Sequence, residues 1–189
     1  MVVLFILIVM YYLYVMIPEF ILLCGYIRHR KGSHYFIYPT FNIFGGALFE
    51  YRIMFTEKSK YKLNGVSQRD GNKLFGLTFN NSLNHHKNSA RFIWRYLDND
   101  RFQIGIRSYT NGKASNEYFD KIFTTNEEIK LSMSKGFRKG IVLEILIDGK
   151  VQRRLFGSKS NFICIKLYPF FGGENKAPSN IEYRYMNNK

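Results

Sequence analysis

Acidic side chains and cysteines are both scarce in this chain. Fourteen Asp and Glu stand against 28 Lys and Arg in 189 residues, a formal charge of +14. A field of that sign draws polyanions: nucleic acid, acidic polysaccharide or an anionic membrane surface. The competing reading is a solvated basic coat that keeps the chain soluble. The two cysteines, Cys24 and Cys164, fall in an apolar N-terminal stretch and an expected strand, which argues against a bridge between them. No Cys/His spacing matches a zinc site, so neither metal nor cofactor is expected. A G-x-S-x-G elbow and a Walker loop are also missing, and the Gly172-Gly173 pair reads as a turn. Beyond Ser33 there is no helical periodicity and no internal repeat.

Long hydrophobic runs are confined to the N-terminus. "MVVLFILIVMYYLYVMI" carries no charge; "PE", "FILLCGYI" and the basic "RHRK" follow. A run of about 17 to 25 apolar residues can span a bilayer core, with Glu19 forcing a tilt or an interfacial position. Cleavable signals begin with Lys or Arg, and this segment does not. Its positive residues lie on the far side, which favours an uncleaved anchor with its N-terminus outside and the domain in the cytosol. "ILLCG" resembles a lipoprotein cleavage site at Cys24, with Leu23 departing from that pattern. The alternative is a buried N-terminal helix. The expectation is a hydrophobic targeting or membrane-anchor helix over residues 1–27, a basic linker over 28–34, and one β domain over 35–189. The localisation implied is membrane-anchored or secreted to the cell surface, with the orientation open.

The rest of the chain alternates in short runs punctuated by Gly, Asn and Asp, the pattern of an all-β sandwich or barrel. "ALFEYRIMF" sets Phe49, Tyr51, Ile53 and Phe55 against Glu50, Arg52 and Met54. "KLFGLTF" puts Phe75, Leu77 and Phe79 on one side. "GIVLEILIDGKVQRRLF" is two strands joined by Asp148-Gly149, the preferred two-residue hairpin turn. "NFICIKLYPFF" groups Ile163, Ile165 and Leu167, and "NIEYRYM" groups Ile181, Tyr183 and Tyr185.

"SARFIWRYLDNDRFQIGIRSY" (89–109) holds four arginines within two strands. With "DND" (98–100) as the turn, Leu97 faces Arg101, Arg95 faces Gln103, Ile93 faces Gly105 and Arg91 faces Arg107. Tyr96, Trp94 and Phe92 meet Phe102, Ile104 and Ile106 on the reverse. Period-two alternation therefore predicts one aromatic and aliphatic face and one carrying Arg91, Arg95, Arg101, Gln103, Arg107 and Tyr109. Arg91 opposite Arg107 sets like charges together, which calls for a carboxylate or an anionic ligand. Glu50, Glu144 and Glu182 are the candidate carboxylates. His85 and His86, just before the hairpin, are candidates for proton transfer beside the arginine face, against the commoner role of exposed loop histidines.

The strand succession, the Asp-Gly hairpin and the closing "KLYPFFGGENKAPSNIEYRY" resemble the concanavalin-like jelly-roll superfamily of lectins, carbohydrate-binding modules, glucanases and polysaccharide lyases. "NKLFGLTF…HHKNSARFIWRY…YTNGK…LYPFFGG…AP" is similar to small exported bacterial jelly-roll proteins, over residues 31–187. The resemblance implies an antiparallel jelly-roll β-sandwich. In jelly-roll lyases, Arg or Gln neutralises a uronate carboxylate while His or Tyr moves the proton; those types occur here as Arg91, Arg95, Gln103, Arg107, His85, His86 and Tyr109. The lyase Gln-Ile-His strand is absent, the nearest string being "QIGIRSY", and so is the paired-carboxylate strand of jelly-roll glycosidases. The leading expectation is a module binding acidic polysaccharide or another polyanion through Arg91, Arg95, Gln103 and Arg107. The alternatives are a polysaccharide lyase using His85, His86 and Tyr109, and a structural or virion surface protein without a small ligand. Nucleic acid ranks below these, since no reader motif is present.

Overall fold

The computed structural model describes residues 5–6, 9–10, 13, 25–34, 36, 40–43, 47–63, 70–136, 140–157, 163–173 and 175–187. Among these residues twelve strands are defined: β1 (Tyr26–His29), β2 (Thr40–Ile43), β3 (Ala47–Phe55), β4 (Asn72–Thr78), β5 (Ser89–Asp98), β6 (Arg101–Thr110), β7 (Lys113–Phe123), β8 (Glu128–Gly136), β9 (Gly140–Ile147), β10 (Lys150–Phe156), β11 (Ile163–Leu167) and β12 (Ile181–Asn187). They form two antiparallel six-stranded sheets, in the orders β1-β12-β3-β8-β9-β10 (sheet I) and β2-β11-β4-β5-β6-β7 (sheet II). The all-β sandwich expected from the alternation is what the chain adopts.

The expected N-terminal hydrophobic helix lies outside the described residues, apart from Phe5, Ile6, Val9, Met10 and Leu13, which are exposed. No described helix is long and apolar enough to cross a membrane. Tyr26–His29, placed by sequence where the apolar segment meets the linker, is strand β1 and pairs with β12, Tyr26 opposite Arg184 and Arg28 opposite Glu182.

Alternation sorts the side chains as read. Tyr51, Ile53 and Phe55 of β3, Ile181, Tyr183 and Tyr185 of β12, and Ile141, Leu143 and Ile145 of β9 meet Phe75, Phe92, Trp94, Phe102 and Ile104 of sheet II in one core. Asp148 (φ 49°) and Gly149 (φ 74°) make the β9–β10 turn, the left-handed pair that a two-residue hairpin requires. At one side of the sandwich the sheets end on β7 and β10. There Arg154 donates to Glu117 and Lys121 to Asp148 (3.2 Å), tying one sheet to the other.

Two details differ from the sequence reading. Asp98, not Leu97, faces Arg101, and the turn residues are Asn99 (φ 44°) and Asp100 (φ 61°), with a bulge between Tyr96 and Asp98. Asn and Asp tolerate the left-handed conformation, so a two-residue turn closes where three were expected. Cys164 of β11 and Tyr168, just beyond the strand, join the core, with the buried Lys166 over the rings of Phe49 (4.3 Å) and Tyr168 (5.3 Å). A buried ammonium is tolerated there by the negative ring faces.

Candidate basic face on sheet II

The β5–β6 ladder has the expected register beyond the turn, with Arg95 opposite Gln103, Ile93 opposite Gly105, Arg91 opposite Arg107 and Ser89 opposite Tyr109. Trp94, Phe92, Ile104 and Phe102 are wholly buried on one face. The four residues Arg91, Arg95, Gln103 and Arg107 sit on the other, half-buried. Arg101 is at the hairpin tip, paired with Asp98 and more than half exposed.

The three face arginines do different work. Arg91 donates to the carbonyls of Leu74 (2.8 Å) and Tyr168 (2.6 Å). The register of β4 against β5 slips by one residue between Lys73 and Gly76, and Arg91 bonds within that irregularity. Gly76 is required beneath it, because a Cβ there would lie 2.1 Å from Cβ of Arg91 and 2.5 Å from the Ala90 carbonyl. Arg95 donates twice to Oε1 of Gln103 (3.0 and 2.6 Å), whose amide donates to Phe119 O (2.7 Å), and its guanidinium stacks 4.0 Å from the Tyr118 ring centre. Arg107 donates to the Tyr109 hydroxyl (2.8 Å) and, more weakly, to Asn116 Oδ1 (3.4 Å). The like-charge conflict of Arg91 and Arg107 is relieved by this divergence: one guanidinium is held by main-chain carbonyls, the other by a phenol and an amide.

The carboxylates proposed as neutralisers are in the opposite sheet. Glu182 is held by Arg28 and Lys58, and Glu144 by Arg153 and Ser132, while Glu50 lies on β3. Among the described residues the acid that acts on this face is Asp70, through Lys73 and Tyr118.

His85 and His86 precede β5 with ring centres 4.0 Å apart, and His86 stands edge-on to Tyr109 at 5.2 Å. The structure therefore brings His85, His86, Tyr109 and Arg107 together at one end of the face, and places Arg95 and Gln103 nearer the hairpin tip. Burial, reinforced by His86 and Arg91, lowers the His85 pKa to about 4, which keeps its imidazole neutral at pH 7.

Sequence reasoning missed Lys73, Tyr118 and Asn116. Lys73 shares the parity of Phe75, so plain alternation assigns it to the core; the extra residue in β4 turns it to the basic face, opposite Ile93. Its ammonium donates to the Gly172 carbonyl. Burial first, then Arg107 and Arg91, lower its pKa to about 7, with Asp70 opposing. Tyr118 and Asn116 come from β7, opposite Gly105 and Arg107. The Tyr118 ring lies against Gly105, where a Cβ would come within 2.8 Å of it, and its buried hydroxyl has no hydrogen-bond partner among the described residues. No group of three or more His, Cys, Asp or Glu suited to a metal is found among the described residues.

The chain is an antiparallel two-sheet β-sandwich, with six strands in each sheet among the described residues. No family model matches it, and no curated protein is similar to it in sequence. Among solved structures it is similar to an alginate lyase from Pseudomonas aeruginosa, at TM-score 0.46 and 6% identity over 73% of this chain; the alignment spans 60% of the lyase. It is similar to a toad ovary galectin in complex with thio-digalactose, at TM-score 0.39 and 11% identity over 86% of this chain and 98% of the galectin. A pentraxin from Limulus polyphemus gives TM-score 0.40 and 9% identity over 85% of this chain and 73% of that one.

Proposed function

We propose that the chain is a carbohydrate-binding jelly-roll module that takes acidic polysaccharide on the basic face of sheet II. The observation that carries this reading is the placement of Arg95 and Arg107, which lie half-buried on one face and bond to side-chain amides, a phenol and an aromatic ring. A guanidinium with neutral partners keeps its charge available to a carboxylate or sulfate, and Lys73 adds an amine whose protonation an anion would favour. The apolar residues ahead of β1 would hold the module at a membrane or cell surface.

Affinity electrophoresis against a polyuronate, a sulfated polysaccharide and a neutral glucan tests this. Retardation is expected with the acidic polymers and not with the glucan. Arg107→Ala should weaken it roughly 10- to 100-fold, the worth of one charge-assisted contact. Indifference to all three polymers would remove the proposal. A bound anion raises the Lys73 pKa from about 7, so binding should tighten as pH falls through neutrality and level off below it. Lys73→Met should abolish that dependence, which separates Lys73 from His86; a dependence that survives the change belongs to another group.

A second reading is a lyase acting by β-elimination on uronate-containing glycan. It is favoured by the sequence His86, Tyr109, Arg107 along one edge of the face, with Arg107 donating to the phenol oxygen. Appearance of unsaturated product absorbing in the near ultraviolet, lost in Tyr109→Phe, would establish it.

A further inference from the structure

Away from the basic face, the end of sheet I where β1 closes and β12 begins holds a cleft of about 860 Å³. Four cations line it: Arg28, Arg30, Lys31 and Lys58. Among the described lining residues Glu182 is the one carboxylate, and it is shared by Arg28 and Lys58. Arg30 and Lys31 are exposed and enter no ion pair with a described residue. The Lys31 backbone N–H donates to Asn180 Oδ1 (2.9 Å), and Gly32 N–H to the Ala177 carbonyl (2.9 Å), so the turn carrying these two cations is fixed by main-chain bonds that their side chains do not make. His29 forms part of the wall, almost fully buried among the rings of Phe36, Phe171 and Tyr183.

At the start of β1 stands Tyr26, with the guanidiniums of Arg28 and Arg184 at 5.5 and 6.0 Å from its ring centre. In sequence Tyr26 closes the apolar stretch that begins with the uncharged residues 1–17. Along the sequence an apolar run broken by Glu19, an aromatic and a cation cluster thus follow one another within residues 1–31, the order in which a chain meets hydrocarbon, headgroup and water.

We propose that this cleft seats the phosphate of an anionic phospholipid headgroup and holds the edge of sheet I against the membrane that receives the apolar run. The proposal rests on the membrane placement offered above and is independent of glycan binding. Net positive lining and the continuity with the apolar run select a lipid surface over a soluble anion. Each cation near an anionic surface is worth about fivefold in binding.

Flotation of the full chain with phosphatidylcholine vesicles, and with vesicles that also contain phosphatidylglycerol, tests it. The anionic vesicles should bind more tightly. In the double variant Arg30→Ala, Lys31→Ala that binding should fall roughly 25-fold, while binding to neutral vesicles and to acidic polysaccharide stays at the wild-type level. Equal binding of the wild-type chain to both vesicles, or an unchanged double variant, overturns the cleft while leaving the apolar anchor standing. Binding to neither vesicle overturns both. Displacement by inorganic phosphate at matched phosphate concentration and ionic strength assigns the cleft to a free anion instead, and the same 25-fold loss measured on duplex DNA, with vesicles unbound, assigns it to nucleic acid; either outcome overturns the proposal.

Discussion

Trp94→Ala should lower the unfolding free energy by about 3 to 5 kcal/mol, read from urea or thermal denaturation. The indole is wholly buried and lies between Phe55 (4.8 Å), Tyr61 (5.6 Å) and Tyr183 (5.8 Å), three rings from outside its own hairpin. Truncation removes the contacts that join the two sheets and leaves a cavity that a close-packed sandwich fills poorly. Domains of this size are stable by about 5 to 15 kcal/mol, so the loss is a large share of the total. Trp94→Phe should cost much less, because it keeps the aromatic packing and removes an indole N–H that has no hydrogen-bond partner among the described residues. Arg107→Ala, one strand away on the opposite face, should leave folding nearly unchanged. Equal losses from Trp94→Ala and Arg107→Ala would mean that the faces are wrongly assigned.

Acid should destabilise the sandwich well before its carboxylates titrate. His29 is almost fully buried among Phe36, Phe171 and Tyr183, and burial lowers its pKa to about 4, against a smaller raising by the His34 backbone. The folded pKa lies below the unfolded value of 6.5, so the unfolded chain takes up the proton first. Stability is then full above the unfolded value and falls as pH drops toward about 4, by about 3 kcal/mol in all. The depressed carboxyls of Asp100 and Glu117 act lower still, since stability from a lowered carboxyl is lost only below its ordinary range. Denaturant midpoints followed from neutral pH to pH near 4 should show the slope, and His29→Phe should flatten most of it. A slope that persists in the variant would place the acid sensitivity elsewhere, with the part-buried His85 as the next group to test.

Much of this architecture was legible because alternation and turn chemistry are local. Asp148-Gly149 marked its hairpin outright, and the parity of Trp94 against Arg95 set both faces of β5. What was not legible depends on non-local pairing. Lys73 reads as a core position until the added residue in β4 is known, and that slip is visible only against β5. β7, the source of Tyr118, opens with five exposed residues because it is an edge strand, so it lacks the alternation that marks its neighbours. β8, by contrast, carries the alternation plainly, Ile129, Leu131 and Met133 against Lys130, Ser132 and Ser134. For the candidate site, the sequence placed the arginines on one face but could not tell which of them the backbone would hold. Arg91 against the Leu74 carbonyl is a consequence of the β4 slip.

The paired margins of β7 and β10 have a further consequence for the molecule in a crowded solution. An unpaired strand is a template onto which another polypeptide can add, and β10 carries the exposed Val151 and Leu155 along such a rim. Arg154 with Glu117 and Lys121 with Asp148 straddle the seam between the two rims. A strand recruited there would have to strip hydration from these four charges or part them, and that cost guards the sandwich against growing by accretion into fibres.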